Sequence, residues 1–223
     1  MFIKWFNEIC LNNIDLVGGK NASLGEMVAN MNKLDIRVPF GFAVTTIAYD
    51  QFIEDNCLND FINDELCKLK TNYSLVNLKR TGMKIRNKIL EGYFNKELES
   101  AITEAYRTLS RRFLDTEGIP QENTDVAVRS SGTMEDLPDA SFAGQQETYL
   151  NVRNVNEVIL SIKRCFASLY TDRAISYRVT KCLEGDLKIS VGIQKMVRSD
   201  LGSAGVAFSL DTDSGFNKVI LIN

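Results

Sequence analysis

The chain has 223 residues, 44% of them hydrophobic and 25% charged, with a formal net charge of -3. That length buries a sizeable core, as one large domain or two subdomains, and the composition is that of an ordinary soluble globular protein. The acidic balance speaks against non-specific binding to nucleic acid or anionic membrane, no apolar run nears the roughly 18 residues of a membrane span, and MFIKWFNEIC lacks the features of a signal peptide.

There is no histidine, which excludes Ser-His-Asp and Cys-His catalysis and any histidine-ligated metal. The five cysteines (Cys10, Cys57, Cys67, Cys165, Cys182) form no CxxC pair. They read as reduced, mostly buried thiols of a cytoplasmic protein rather than a zinc site or disulfide framework. Whatever chemistry occurs must use carboxylates, Lys, Arg and bound cofactors.

Residues 1–16 read as a short strand or extended segment, followed by VGGKNASLGEM. Ser23 and Glu26 form a capping-box pattern, and Leu24, Met27, Val28, Met31 and Leu34 keep helical spacing after it. Lys20 is then expected in a Gly-Gly loop just ahead of a helix N-terminus, where a cation is unfavourable unless an anion sits between them. Two readings fit, an anion-binding lysine or a solvated one. Residues 38–46 read as a strand entered through Pro39 and Gly41, and helices are predicted over about 47–56, 58–69, 75–92 and 95–113. These helices look like a scaffold or cap. Residues 115–124, with Gly118 and Pro120, read as a linker-like break.

The stretch DVAVRSSGTMEDLPDASFAGQQETYLNV begins as a strand with Val126 and Val128 on one face and Ala127 and Arg129 on the other. A loop of small and acidic residues, Ser130 to Gly144, leads to a second strand around Glu147 to Val152. A guanidinium at a strand end beside Ser, Thr and Gly suits an anion; a surface arginine beside a hairpin loop fits as well. Glu135, Asp136 and Asp139 are expected to be solvated or to cap backbone groups. Asn154 and Glu157 give another capping signal, before one long helix reaching about Val179. In LKISVGIQKMV, Ile189, Val191 and Ile193 share a strand face and Gln194 looks the other way. That amide could read an adenine edge or be an ordinary exposed glutamine. GVAFSLD is a strand, Asp211 to Gly215 a turn, and VILIN an apolar strand at which the chain stops, which suggests a fold incomplete on its C-terminal side.

The expected fold class is α+β: residues 1–120 an N-terminal subdomain with a mainly helical segment, residues 121–223 a β-rich subdomain incomplete at its C-terminal end. Four blocks, VGGKNASLGEM, VPFGFAVTT, AVRSSGTMEDLPDASFAGQQETYLNV and VGIQKMVRSDLGSAGVAFSLDTDSGF, together resemble the N-terminal nucleotide-binding region of the phosphoenolpyruvate synthase (pyruvate, water dikinase) family, within the pyruvate phosphate dikinase superfamily. The resemblance covers nearly the whole chain and implies an ATP-grasp-like fold that binds ATP with Mg²⁺. It implies that Lys20 contacts the ATP phosphates and that Arg129, the catalytic residue, holds the β/γ region and stabilises charge during transfer. Gly144 and Thr148 would line the phosphate and ribose side, and Gln194 would lie by the adenine. Members commonly carry Ala at the positions of Gly132 and Met134. The family passes phosphate to a histidine on a swivelling domain, and from there to pyruvate in a C-terminal barrel. Those two domains are the implied partners and neither is in this chain, which stops before the family's acidic magnesium ligands; no metal ligand is expected within it. Alternatives are a related dikinase with an antibiotic or glucan acceptor, or a non-catalytic nucleotide-binding or interaction module.

Overall fold

A computed structural model of the chain describes residues 1–114, 117–133, 136–137, 140–141, 147–180 and 188–223. In chain order the elements are β1 (Ile3–Trp5), two short 3-10 turns, α1 (Ile14–Met31), a third 3-10 turn (Asn32–Leu34), β2 (Gly41–Val44), α2 (Thr46–Asp55), α3 (Leu58–Thr71), α4 (Leu75–Glu91) and α5 (Lys96–Arg111). Then come β3 (Val126–Gly132), β4 (Asp136–Leu137), β5 (Ala140–Ser141), β6 (Thr148–Val152), α6 (Val155–Ser168), α7 (Asp172–Thr180), β7 (Ile189–Lys195), β8 (Ala207–Phe208) and β9 (Leu221–Ile222). The fold is α+β, built on a five-stranded antiparallel sheet of order β1-β2-β7-β3-β6. Strands from both halves of the chain share that sheet, and β7 lies at its centre between β2 and β3.

Strand alternation gives the sheet two different faces. On one, Phe42, Val44, Val126, Val128, Ile189, Val191 and Ile193 are buried against the helical layer. There Phe166 of α6 packs on Tyr49, Phe52 and Phe94 with ring centroids 5.1–6.1 Å apart. The helices start where polar caps satisfy their first amides: Ser74 Oγ accepts from Asn77 N (3.1 Å) and Asn95 Oδ1 from Leu98 N (2.9 Å). At α6, Asn154 Oδ1 accepts from Glu157 N (3.0 Å), in agreement with the capping signal of the sequence. Tyr106, fully buried on α5, donates to Thr124 O (2.8 Å) and accepts from Asn154 N (3.0 Å), which ties the start of α6 to the residues preceding β3. The four helices expected between 47 and 113 are all present to within a few residues.

Four expectations are corrected. The long helix after Asn154 is two: Thr171 Oγ1 accepts from Ala174 N (3.2 Å), so a fresh cap starts α7 where helical spacing alone continued. The β3 strand continues through Ser130, Ser131 and Gly132, which are buried and paired with Val191, Ser190 and Ile189; small residues there are strand, not loop. Ser23 is no N-cap. It lies inside α1, while Glu26 accepts from Leu11 N (3.3 Å) and Asn30 Nδ2 (3.1 Å). Finally, Cys10, Cys57 and Cys67 are exposed and only Cys165 among the described cysteines is buried, while Cys182 lies outside the described residues. On α3 the buried positions are Leu58, Ile62, Glu65 and Leu69, and Cys67, two residues from either of the last two, points to the opposite side. No helix among the described residues is long and apolar enough to cross a membrane.

Candidate functional site

The second face of the sheet is floored by small residues. Gly41 and Ala43 on β2, Ser190 and Gly192 on β7, and Ala127 and Ser131 on β3 alternate with the core positions. With so little side chain in the way, α1 lies directly on the backbone. A Cβ on Gly192 would stand 2.3 Å from Asn21 Oδ1, and one on Gly18 would stand 2.3 Å from Ser131 O. Gly18 also adopts φ +73° and ψ 165°, a non-helical geometry that breaks α1 one turn into its length. Lys20 therefore sits in the first turn of the helical run after that break rather than in a free loop, half-buried. Phe6, Ile9, Val17, Ala22, Leu24, Val28 and Ala43 bury the apolar side of this layer.

Arg129, Thr148 and Gln194 occupy the same face, beyond the small-residue seat. Arg129 is exposed; its neighbours in register are Thr148 on β6 and Gly192 on β7. Gln194 is opposite Ala127 on β3 and Gly41 on β2, half-buried, with its Nε2 donating to Pro39 O (2.9 Å). That bond orients the amide and leaves Oε1 as an acceptor. The arginine thus has a residue with no side chain on one side and a hydroxyl on the other, so its donor fork is not crowded. Gly144 lies outside the described residues, as do Glu135 and Asp139. Four of the five expected site residues are therefore described: Arg129, Thr148 and Gln194 share one side of one sheet, and Lys20 belongs to the helix packed on that side. Among the described residues no group of three or more His, Cys, Asp or Glu is arranged to hold a metal.

Charge at the strand end next to this face is organised by Asp125, just ahead of β3. Its carboxylate binds the Arg153 guanidinium through Nε and through Nη2 (3.0 Å), and the hydrogen bond to Arg153 holds its pKa below the usual carboxylate range. Lys195, whose Nζ donates to Met196 O (3.2 Å) and lies over the Phe113 ring, has its pKa lowered chiefly by burial. By register Lys195 shares the Val126 and Val128 side of the sheet, so it is turned away from Arg129.

Sequence reasoning passed over the buried polar residues under α1. Asn21 (2% exposed) donates from Nδ2 to Val17 O (3.0 Å) and Ser190 Oγ (3.1 Å), and from its backbone N to Ser131 Oγ (3.2 Å). The available signal was the alternation of serine and glycine with Ile and Val in SVGIQ, which marks a strand face too small-sided to be ordinary surface.

Residues 14–223 match the family model described as "Pyruvate phosphate dikinase, AMP/ATP-binding domain". The chain is 49% identical over 222 residues to the phosphoenolpyruvate synthase of Aquifex aeolicus, covering 99% of this chain and 25% of that protein. It is 47% identical over 221 residues to the phosphoenolpyruvate synthase of Escherichia coli and 48% over 221 to that of Synechocystis, each covering 99% of this chain and 27% of the relative. The chain therefore spans about a quarter of the length of the curated relatives it matches. With a family match across almost its whole length, and with its glycine-seated helix and arginine-bearing sheet face within the matched residues, this chain belongs to the pyruvate phosphate dikinase AMP/ATP-binding domain family.

Proposed function

We propose that this chain is the ATP-binding portion of a phosphoenolpyruvate synthase, with an ATP-grasp-like fold, whose parent reaction converts ATP, pyruvate and water into phosphoenolpyruvate, AMP and phosphate. The observation that supports the reading is that Arg129, Thr148 and Gln194 share one sheet face, on which α1, the helix of Lys20, is packed at the Gly18 break. Lys20 and Arg129 bind the phosphates, and Arg129 stabilises the charge that develops as a phosphoryl group leaves. Phosphoryl transfer depends mainly on such positioning and electrostatics. Thr148, with Gly144, lines the phosphate and ribose side. Gln194 offers Oε1 to the adenine amino group while Pro39 O holds its other end. Mg²⁺ bound with the nucleotide would neutralise phosphate charge, and it is assigned to no residue of this chain.

The chain contains no histidine, so the phosphohistidine of the parent reaction belongs to a separate domain, and pyruvate to a third. In this reading residues 1–120 supply most of the helices and residues 121–223 most of the strands, the two joined in one shared sheet. Free and exposed Cys10, Cys57 and Cys67 support a reducing, cytoplasmic setting. The test is calorimetric titration of Mg·ATP into the chain and into Arg129→Ala. Loss of a charge-assisted hydrogen bond predicts weaker binding by about 1.5–3 kcal/mol, at least tenfold. Equal affinity for both proteins would remove Arg129 from the site.

A further inference from the structure

The structure assigns to Asn21 the role of a positioning residue for Lys20. This rests on the nucleotide-site reading above and concerns how the site is held in register. Arg129 and Gln194 need no such help: β3 pairs on both sides, with β6 and β7, and β7 pairs with β2 and β3. Lys20 lies on a helix rather than in the sheet. It follows a helix break at Gly18, so its place over the sheet depends on how the next turn of α1 is seated.

Asn21, the adjacent residue, makes that seat. Its side-chain Nδ2 reaches back across the break to Val17 O (3.0 Å) and down to Ser190 Oγ on β7 (3.1 Å), while its backbone N donates to Ser131 Oγ on β3 (3.2 Å). Ser190 Oγ in turn donates to Val44 O on β2 (2.7 Å), which commits its lone pairs to accepting from Asn21. A carbonyl at one end and a hydroxyl already donating at the other both require the NH₂ group, so only an amide in this orientation satisfies the network. One residue joins the two parts of α1 to β3 and β7, and through Ser190 to β2. Gly192 lies under it with no side chain, where a Cβ would come within 2.3 Å of Asn21 Oδ1. The serine two residues from Arg129 and the serine four residues from Gln194 are the two that Asn21 holds, so the helix is indexed to the strands that carry those groups. A buried polar network satisfied in one geometry only specifies position as well as stability.

The test is a double-mutant cycle read by Mg·ATP calorimetry on the chain, Asn21→Ala, Lys20→Ala and the double variant, with urea unfolding of each. A purely structural asparagine would weaken binding by the same factor in either background. Acting through Lys20, Asn21→Ala should weaken binding about tenfold when Lys20 is present and less than about twofold in Lys20→Ala. Ser190→Ala, which removes one acceptor and leaves the packing, should give a smaller loss that also vanishes in Lys20→Ala, and it serves if Asn21→Ala does not fold. Equal factors in both backgrounds, or wild-type affinity in Asn21→Ala beside a weakened Lys20→Ala, would overturn the assignment alone. Wild-type affinity in Lys20→Ala would overturn it together with the role of Lys20 in the nucleotide site.

Discussion

Replacing Gly18 by alanine should be far more damaging than a methyl group suggests. The backbone there has φ +73° and ψ 165°, a region open almost only to glycine, and holding another residue in it costs about 1–3 kcal/mol. The added Cβ would also lie 2.3 Å from Ser131 O and 2.4 Å from Ser131 Oγ. The first of these is backbone, in a strand paired on its β7 side through Gly132, so it cannot turn aside. Overpacking of this kind adds roughly another 1–3 kcal/mol, for a combined loss of about 2–6 kcal/mol. At a urea dependence near 3 kcal/mol per molar, the unfolding midpoint should fall by roughly 0.7–2 M. Gly118→Ala is the control, since Gly118 has φ +79° but no atom of the described residues within 4 Å of the added carbon. It should cost only the backbone strain, about 1–2 kcal/mol. Because Ser131 Oγ accepts from Asn21 N, Gly18→Ala should also weaken Mg·ATP binding, and Gly118→Ala should not. Equal midpoint shifts in the two variants would refute the close packing of α1 on β3.

Tyr106→Phe should cost about 1–3 kcal/mol in urea unfolding, because the Thr124 carbonyl and the Asn154 N–H both lose their buried partner. Phe166→Ala should cost about 3–5 kcal/mol by the same assay, since it empties the centre of the Tyr49, Phe52 and Phe94 cluster. Glu65, only 6% exposed, binds Lys84 (3.0 Å) and Lys68 (3.2 Å), and the Lys84 hydrogen bond lowers its pKa against the opposing effect of burial. A folded pKa below the unfolded one makes its contribution complete above the ordinary carboxylate value of about 4.3, and lost as pH falls through the depressed folded value. Unfolding midpoints measured from neutral pH downward should therefore fall less steeply below about pH 4.3 in Glu65→Gln than in the parent.

The fold was largely legible because its elements carry strong local signals. The helices after Thr46 keep apolar spacing and have real caps at Ser74, Asn95 and Asn154. The strands 126–129 and 189–193 alternate cleanly. Where reading failed, a tertiary partner overrode a local pattern. Ser23 and Glu26 match a capping box, but the break one turn earlier at Gly18 comes from the approach of Ser131, which the local sequence does not contain. Serine and glycine at 130–132 resemble a loop in isolation, and become strand because Ile189, Ser190 and Val191 pair with them. At the α6–α7 junction the opposite holds: Thr171 is a local cap, hidden because the apolar period runs straight through it.

The site was legible one residue at a time but not as an arrangement. Alternation put Arg129 and Gln194 on the non-core faces of their strands, and the register makes those faces one, since Arg129 is opposite Gly192 and Ala127 is opposite Gln194. Nothing in the local sequence brings the helix of Lys20 onto that face, because 109 positions of chain separate Lys20 from Arg129. What brings the helix there is a run of absences: no side chain at Gly18 or Gly192, and only hydroxymethyl groups at Ser131 and Ser190. Residue-type reasoning looks for groups that do chemistry, and so overlooks the small ones that let such groups meet. Where α1 meets the sheet at Gly18 and Gly192 the two backbones come close, and there one buried amide, bonded to both, sets their spacing.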